Sequence, residues 1–84
     1  MEKMDSALRA RLAASPDETV HLIVRTDGDP TPHLARLGGL GLRVERRFRL
    51  LPGFAVSGHA SGALLLARES WVLSIEEDRP VTAA

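Results

Sequence analysis

Residues 42–58 read LRVERRFRLLPGFAVSG and hold two candidate strands on either side of a Pro-Gly pair. In residues 42–51, apolar and charged side chains alternate with the period of a β-strand, except that Arg46 falls on the apolar side. We therefore expect Arg46 to lie near a strand bulge or at a sheet edge. The Pro-Gly pair is typical of a tight turn. The first strand and a second strand at residues 54–58 should accordingly form a hairpin.

Further candidate elements flank this hairpin on both sides. Hydrophobic periodicity, capping residues and turn signals define them. They are a helix from Asp5 or Ser6 to about residue 14, a strand at 19–26, a short helix that Thr31 could cap, a helix capped by His59 or Ser61 that runs to about residue 69, and a strand at 71–75. This order predicts an α+β, ferredoxin-like split βαβ sandwich. Its four-stranded antiparallel sheet would carry two helices on one face, with an extra helix at the N-terminus.

The inward positions of these elements predict the hydrophobic core. Strand positions two residues apart share a face, as do helix positions three or four apart. The predicted core is Val20, Leu22, Val24, Leu34, Leu37, Val44, Phe48, Phe54, Val56 and Leu66. The other sheet face would remain open, with Ile23, Arg25, Ala55, Ser57, Ser74 and the arginines of residues 43–49 on it. A centre of small residues rimmed by charge suits a flat protein partner, and it suits plain solvent exposure as well.

Composition narrows the classes of function. The chain has 84 residues, which is one small domain, and its formal net charge is zero. A neutral chain has no overall attraction to nucleic acid or to an anionic membrane, so neither is an expected partner. The sequence has no cysteine, and its three histidines, His21, His33 and His59, stand apart from one another. We therefore expect no enzyme activity, no metal site and no cofactor.

Residues 71–84 read WVLSIEEDRPVTAA, which is a candidate strand, three carboxylates and then a tail of small residues. Pro80 has no backbone N–H and favours an extended conformation at Arg79. An extended tail that leaves a sheet has the shape of a protease substrate. The expected organisation is an N-terminal helix and linker at residues 1–18, a folded domain at 19–78 and an extended tail at 79–84.

A family resemblance joins these features. The sequence LPGFAV at residues 51–56, a helix, and WVLSIEED at residues 71–78 resemble the propeptides of subtilisin-like serine proteases and the small inhibitors related to them. The strand that contains residues 20–24 fits the opening strand of that family. The resemblance covers about residues 20–84, whereas the N-terminal helix lies outside the usual pattern.

This resemblance implies a binding module that inhibits a subtilisin-like serine protease and can assist the folding of that protease. In the family, the open sheet face packs on two surface helices of the protease. By motif position, Glu76 and Asp78 would cap the N-termini of those helices, while Glu77 would point away. The open-face contacts would come from Ile23, Ala55, Ser57 and Ser74.

The tail would then enter the substrate cleft of the protease as an extended strand. Its residues are Arg79, Pro80, Val81, Thr82, Ala83 and Ala84. Val81 would fill the fourth pocket before the cut and Ala84 the first, so a fitting protease should accept small residues. The chain would be cytoplasmic if Met1 is the native start and secreted if it was excised from a protease precursor. The alternative is a ferredoxin-like protein-interaction or ligand-sensing domain that could dimerise, although the sequence favours a monomer.

Overall fold

The computed structural model describes residues 2–78 and contains one four-stranded antiparallel sheet covered on one face by helices. The strands follow the spatial order β2-β3-β1-β4, so the first and third strands are central. This is the predicted ferredoxin-like split βαβ arrangement, preceded by one more helix. The elements are α1 (Ser6–Ala14), β1 (Thr19–Thr26), a 3₁₀ turn (Thr31–His33), α2 (Leu34–Gly39), β2 (Leu42–Arg47), β3 (Gly53–His59), α3 (Ala60–Leu66) and β4 (Val72–Glu77).

The two central strands supply the middle of the core. Leu22 lies opposite Val56, and Val24 lies opposite Phe54. All four side chains are buried between the sheet and the helices. The predicted core residues that are buried are Val20, Leu22, Val24, Leu37, Phe54, Val56 and Leu66, and Leu34 and Val44 pack against them partly exposed. The core also includes Met4, Leu8, Leu12, Leu42, Ala60, Ala63, Ala67, Val72 and Ile75.

A bulge interrupts β2 where the sequence predicts an irregularity. The register with β3 shifts between Val44 and Arg46, so Glu45 is the extra residue in the strand. Arg46 consequently lies opposite Ala55, on the sheet face that the helices leave open. One inserted residue exchanges the two faces of a strand from that point onward.

The prediction that Phe48 belongs to the hydrophobic core is wrong, and the bulge is the reason. Its side chain is only partly buried and lies on the open face beside Ile23 and Arg25. The guanidinium carbon of Arg46 lies 5.7 Å from the centre of the Phe48 ring. The strict alternation through residue 50 places Phe48 inward, whereas the one-residue shift at Glu45 places it outward.

The connection between β2 and β3 is longer than the predicted Pro-Gly turn. Strand β2 ends at Arg47 rather than at residue 51, and residues 48–52 form the loop. The Phe48 N–H still donates to the Gly53 carbonyl at 3.1 Å, which closes the base of the loop. The predicted end of the strand has become a loop because the chain leaves the sheet after the bulge. Leu50 is therefore 97% exposed and Leu51 is 54% exposed.

Helix α1 is part of the same hydrophobic core as the ferredoxin-like elements. Asp5 caps it, as predicted, by accepting from the N–H groups of Ala7 at 3.2 Å and Leu8 at 3.3 Å. Leu8 and Leu12 are buried in one cluster with residues of the sheet and of α3. The helix therefore widens the helical layer beside α3.

The segment before α1 also covers the edge of β4. Met4 forms a parallel bridge with Ile75, and the Ile75 N–H donates to the Lys3 carbonyl at 2.7 Å. Met4 is itself buried. An edge strand presents unpaired backbone groups, and this short pairing satisfies part of that edge.

Helix α3 begins without the side-chain cap that the sequence predicts at His59 or Ser61. Carbonyl groups of the loop before β1 take over that role. The Ala60 N–H donates to the Glu18 carbonyl at 2.9 Å, and the Ser61 N–H donates to the Pro16 carbonyl at 3.0 Å. The first N–H groups of a helix need partners from outside it, and here the tertiary fold provides them.

Gly62 should not tolerate a methyl group, although alanine is normally the better helix former. A Cβ at Gly62 would clash with the backbone carbonyl oxygen of Leu40. We expect Gly62→Ala to lower the free energy of unfolding by about 1–3 kcal/mol, despite a helix-propensity gain of about 1 kcal/mol. Urea unfolding followed by Trp71 fluorescence measures this. Gly38→Ala is the matched control, because a Cβ there meets nothing within 4 Å and should be neutral or stabilising. Equal behaviour of both variants would contradict the close approach at Gly62.

Asp29, rather than the predicted Thr31, provides the side-chain acceptor at the start of the 3₁₀ turn. Its Oδ1 accepts from the Thr31 hydroxyl at 2.7 Å and from the Thr31 N–H at 3.0 Å. Arg47 also donates to Oδ1 at 3.2 Å. The hydrogen bonds from Thr31, together with the charge of Arg47, lower the pKa of Asp29 below its ordinary value.

The lowered pKa of Asp29 predicts a pH-dependent contribution to stability. A carboxylate with a lower pKa in the folded state stabilises above its unfolded pKa of about 4, and the contribution disappears as the pH falls through the folded pKa. Asp29→Asn should therefore be less stable than the original chain at neutral pH, and the difference should close below about pH 4. Urea midpoints measured across this range test it. Asp17→Asn alters an exposed carboxylate without a side-chain hydrogen bond in residues 2–78 and should show no such trend. A constant difference for Asp29→Asn would refute the prediction.

Candidate protein-docking face

The open face of the sheet brings side chains from all four strands into rows. The central row contains Arg46, Ala55, Ile23 and Glu76, each opposite the next in the strand register. Arg25 lies nearer one end of the sheet, opposite Gly53 and Ser74. Toward the other end, His21 lies opposite Ser57, and Ser57 lies opposite Arg43. The face thus combines small residues of β3, larger residues of β1 and charged residues from both edge strands.

The three consecutive carboxylates at the end of β4 divide between the two sheet faces. Glu76 is exposed on the open face, opposite Ile23. Asp78 follows two residues later, and its N–H donates to the His21 carbonyl at 2.9 Å, which continues the strand pairing. Because strand positions two apart share a face, Glu76 and Asp78 point to the same side.

Glu77 lies on the helical side of the sheet, where Arg11 of α1 binds it with both guanidinium NH₂ groups. The hydrogen bond to Glu77 raises the pKa of Arg11 above its ordinary value. Paired hydrogen bonds of this kind fix the orientation of both side chains. The contact therefore holds β4 to α1 and keeps the Glu77 carboxylate away from the open face.

An ion pair crosses the open face from one edge strand to the other. Arg46 of β2 lies 3.5 Å from Asp78, which follows β4. Because β2 and β4 occupy opposite edges of the sheet, the Arg46 side chain extends over the central strands. Ala55, which lies beside Arg46, is 1% exposed. A partner that uses Ala55 as a contact would first have to displace the side chains around it.

The other predicted contact residues of the open face are accessible to different degrees. Ile23, Ser57 and Ser74 are each partly exposed. The Ser57 hydroxyl donates to a carboxylate oxygen of Glu45, the extra residue of the bulge. The predicted cleft-binding residues, Arg79, Pro80, Val81, Thr82, Ala83 and Ala84, lie outside the described residues 2–78.

A further surface lies at the end of the open face, around the loop between β2 and β3. We call it the loop patch, and its residues are Ile23, Arg25, Arg47, Phe48, Arg49, Leu50 and Leu51. These side chains line a shallow, open cleft of about 490 Å³. Sequence reasoning missed this surface because it assigned residues 48–51 to a strand. The adjacent Leu50 and Leu51, directly before a Pro-Gly turn signal, are the part of the sequence that could have indicated it.

Within residues 2–78, no group of three His, Cys, Asp or Glu side chains is arranged to hold a metal ion. No helix in this part of the chain has the length and apolar character needed to cross a membrane. Neither a protein-family model nor a curated protein matches the sequence. A functional assignment therefore rests on the residues of the open face and on their arrangement.

Proposed function

We propose that this chain is a non-enzymatic binding module that inhibits a subtilisin-like serine protease and can assist the folding of such a protease. The open face docks on the protease, and residues 79–84 occupy the substrate cleft. One observation carries the proposal. Glu76 and Asp78 project from the same open face at the end of β4, immediately before the small residues of the tail.

The two carboxylates suit the N-termini of helices on a partner. The first N–H groups of a helix are unpaired, and the helix dipole adds partial positive charge there. Residues two apart in a strand are separated by about 6.6 Å, so Glu76 and Asp78 can contact neighbouring helix termini. Glu77 is held by Arg11 on the other side of the sheet and takes no part in docking.

Docking would require Asp78 to exchange one partner for another. Its present partner is Arg46. In this ion pair the Arg46 side chain is 58% exposed and the Asp78 side chain is 25% exposed. Ion pairs of this exposure contribute about 0–1 kcal/mol. Backbone N–H groups at a helix terminus can therefore replace the guanidinium at little cost.

The tail would supply the competition with substrate. Short extended segments bind protease clefts by adding main-chain hydrogen bonds, with side-chain pockets for selectivity. The folded sheet holds one end of the segment, so the segment loses less freedom on binding than a free peptide. Val81, Thr82, Ala83 and Ala84 have small or β-branched side chains, which suits a protease with a small first pocket.

An inhibition assay against subtilases that accept small residues tests the proposal. Deleting residues 81–84 should abolish competition with substrate while leaving weak docking through the sheet. Replacing Glu76 and Asp78 by Ala should weaken docking by about 0.3–2 kcal/mol for each helix contact. Glu77→Ala is the matched control, since it removes a carboxylate from the other face and should leave the inhibition constant unchanged. Full inhibition by the deletion variant would refute the role of the tail. Absence of inhibition of every such protease at micromolar concentration would refute the proposal.

The second candidate is a protein-interaction or ligand-sensing domain unrelated to proteolysis. The exposed leucines of the loop patch favour it, since adjacent apolar side chains on a surface often mark a contact site. Self-association would be the simplest form of that function. Sedimentation at several concentrations distinguishes it, because a dimer that uses the open face should dissociate on dilution.

A further inference from the structure

We propose that the loop patch is a second docking site, which binds an apolar side chain surrounded by carboxylates on the surface of the same protein partner. This inference rests on the proposed function and adds a contact at the opposite end of the open face from Asp78. The juxtaposition behind it is two exposed leucines and, around the same cleft, two arginines that form no ion pair with residues 2–78.

The apolar part of the patch is unusual in its exposure. Leu50 is 97% exposed and its neighbour Leu51 is 54% exposed. Phe48 and Ile23 lie next to them and are only partly buried. Isolated apolar residues on a surface need no explanation, whereas a contiguous group around a cleft indicates a binding surface.

The charged part of the patch determines which partner fits. Arg25 and Arg49 line the cleft, and neither forms an ion pair within residues 2–78. Arg47 and the nearby Arg46, by contrast, are paired with Asp29 and Asp78. Among the described residues, no carboxylate lines the cleft. Complementary charge accelerates association and disfavours partners of the wrong sign, so carboxylates are expected on the partner.

A protein fits this surface better than a membrane or a nucleic acid. The cleft of about 490 Å³ can accept a side chain, which neither a flat bilayer nor a phosphate backbone offers. Glu45, Glu76 and Asp78 belong to the same sheet face and would repel a uniformly anionic surface, whereas a protein can confine its carboxylates to the positions opposite Arg25 and Arg49. Phe48 is the single aromatic residue of the patch, whereas single-stranded nucleic acids need several stacking platforms.

The loop patch and the carboxylates of β4 can act together on one partner. Arg25 belongs to the loop patch, and the Asp78 N–H pairs with the His21 carbonyl, four residues earlier in the same strand. Four residues of a strand span about 13 Å, so Arg25 and Asp78 can make separate contacts on one sheet face, with Glu76 lying between them opposite Ile23. The loop patch would set affinity and orientation, while the tail competes with substrate.

Association kinetics with a subtilase that the original chain inhibits provide the test. The double variant Leu50→Ser, Leu51→Ser should dissociate about tenfold faster, because most changes at an interface appear in the dissociation rate. Leu73→Ser is the matched control: this leucine is 53% exposed and lies outside the patch. The dissociation rate of this control variant should stay within about twofold of that of the original chain.

The charged rim is tested separately through the salt dependence of association. The variant Arg25→Gln, Arg49→Gln should associate about tenfold more slowly at low ionic strength and show a weaker salt dependence. The control variant Arg9→Gln, Arg68→Gln removes two exposed arginines from the helical side and should change neither quantity. All variants alter exposed or partly exposed residues, so their urea midpoints should match that of the original chain.

Several outcomes would overturn the inference. If the original chain inhibits the protease and the patch variants bind equally well, the loop patch is not a contact site, although the proposed function stands. An association rate that rises with salt would show that the partner surface is positively charged, like the arginine rim, and would contradict the expected carboxylates. Binding of the original chain to phosphatidylserine vesicles that is lost in the leucine variant would assign the patch to a membrane surface. If the original chain inhibits no subtilase, the proposed function fails, and this inference fails with it.

Discussion

Phe54→Ala should lower the free energy of unfolding by about 3–5 kcal/mol, the usual cost of truncating a fully buried aromatic residue. Phe54 is 0% exposed, lies on the central strand β3 and approaches the Trp71 ring with a centroid distance of 6.4 Å. Domains of this size have total stabilities of about 4–13 kcal/mol at 0.05–0.15 kcal/mol per residue. The substitution should therefore unfold a large fraction of the molecules. Trp71, the single tryptophan of the chain, reports the transition in urea.

Phe48→Ala is the matched control for Phe54→Ala, since these are the two phenylalanines of the chain. Phe48 lies on the open face and is partly exposed, so its truncation leaves no closed cavity. We expect Phe48→Ala to lower the free energy of unfolding by about 1 kcal/mol or less. If both variants lost stability equally, the bulge at Glu45 would not have moved Phe48 out of the core.

Leu12→Ala should have the second largest effect, a loss of about 2–5 kcal/mol in the free energy of unfolding. Leu12 is 1% exposed and belongs to the cluster that joins α1 to the sheet and to α3. Because that cluster is continuous, the substitution should lower the urea midpoint of the single unfolding transition. Trp71 fluorescence reports this transition, although Trp71 lies outside α1. The measurement is again a urea titration.

Leu65→Ala is the control for this effect, because Leu65 is a helical leucine that is 47% exposed. It should cost well under half as much as Leu12→Ala, in proportion to the apolar area it buries. An unchanged midpoint for Leu12→Ala would mean that α1 folds independently of the rest of the chain. The division at residues 18 and 19 would then separate two units.

The arrangement of the proposed docking residues could be predicted from the sequence because it depends on local strand geometry. Glu76, Glu77 and Asp78 follow a strand, and a strand alternates its faces, so the separation of Glu77 from its two neighbours is a property of strand geometry. The residues that pair with these carboxylates could not be predicted from the sequence. Arg11 and Arg46 are distant in sequence, and only the packing of α1 and the order of the strands bring them near.

The topology and the middle of the core were likewise predictable from the sequence itself. The β-branched residues of β1 and the apolar positions of β3 predicted the two central strands. The alternation in these strands predicted which residues around Phe54 and Val24 are buried. The position of Arg46 in the apolar phase of β2 indicated the bulge. These features depend on near neighbours in the chain, which is why a periodic pattern can report them.

Only the tertiary structure decided on which side of the sheet the residues after the bulge lie. The register shift at Glu45 placed Phe48 on the open face and left Leu50 in solvent, whereas unbroken alternation would have buried both. It also decided that Leu12 would enter the core, because two leucines on a short helix do not reveal which surface receives them. Both outcomes depend on contacts between distant parts of the chain. A strand or helix pattern specifies a face, and packing determines what that face meets.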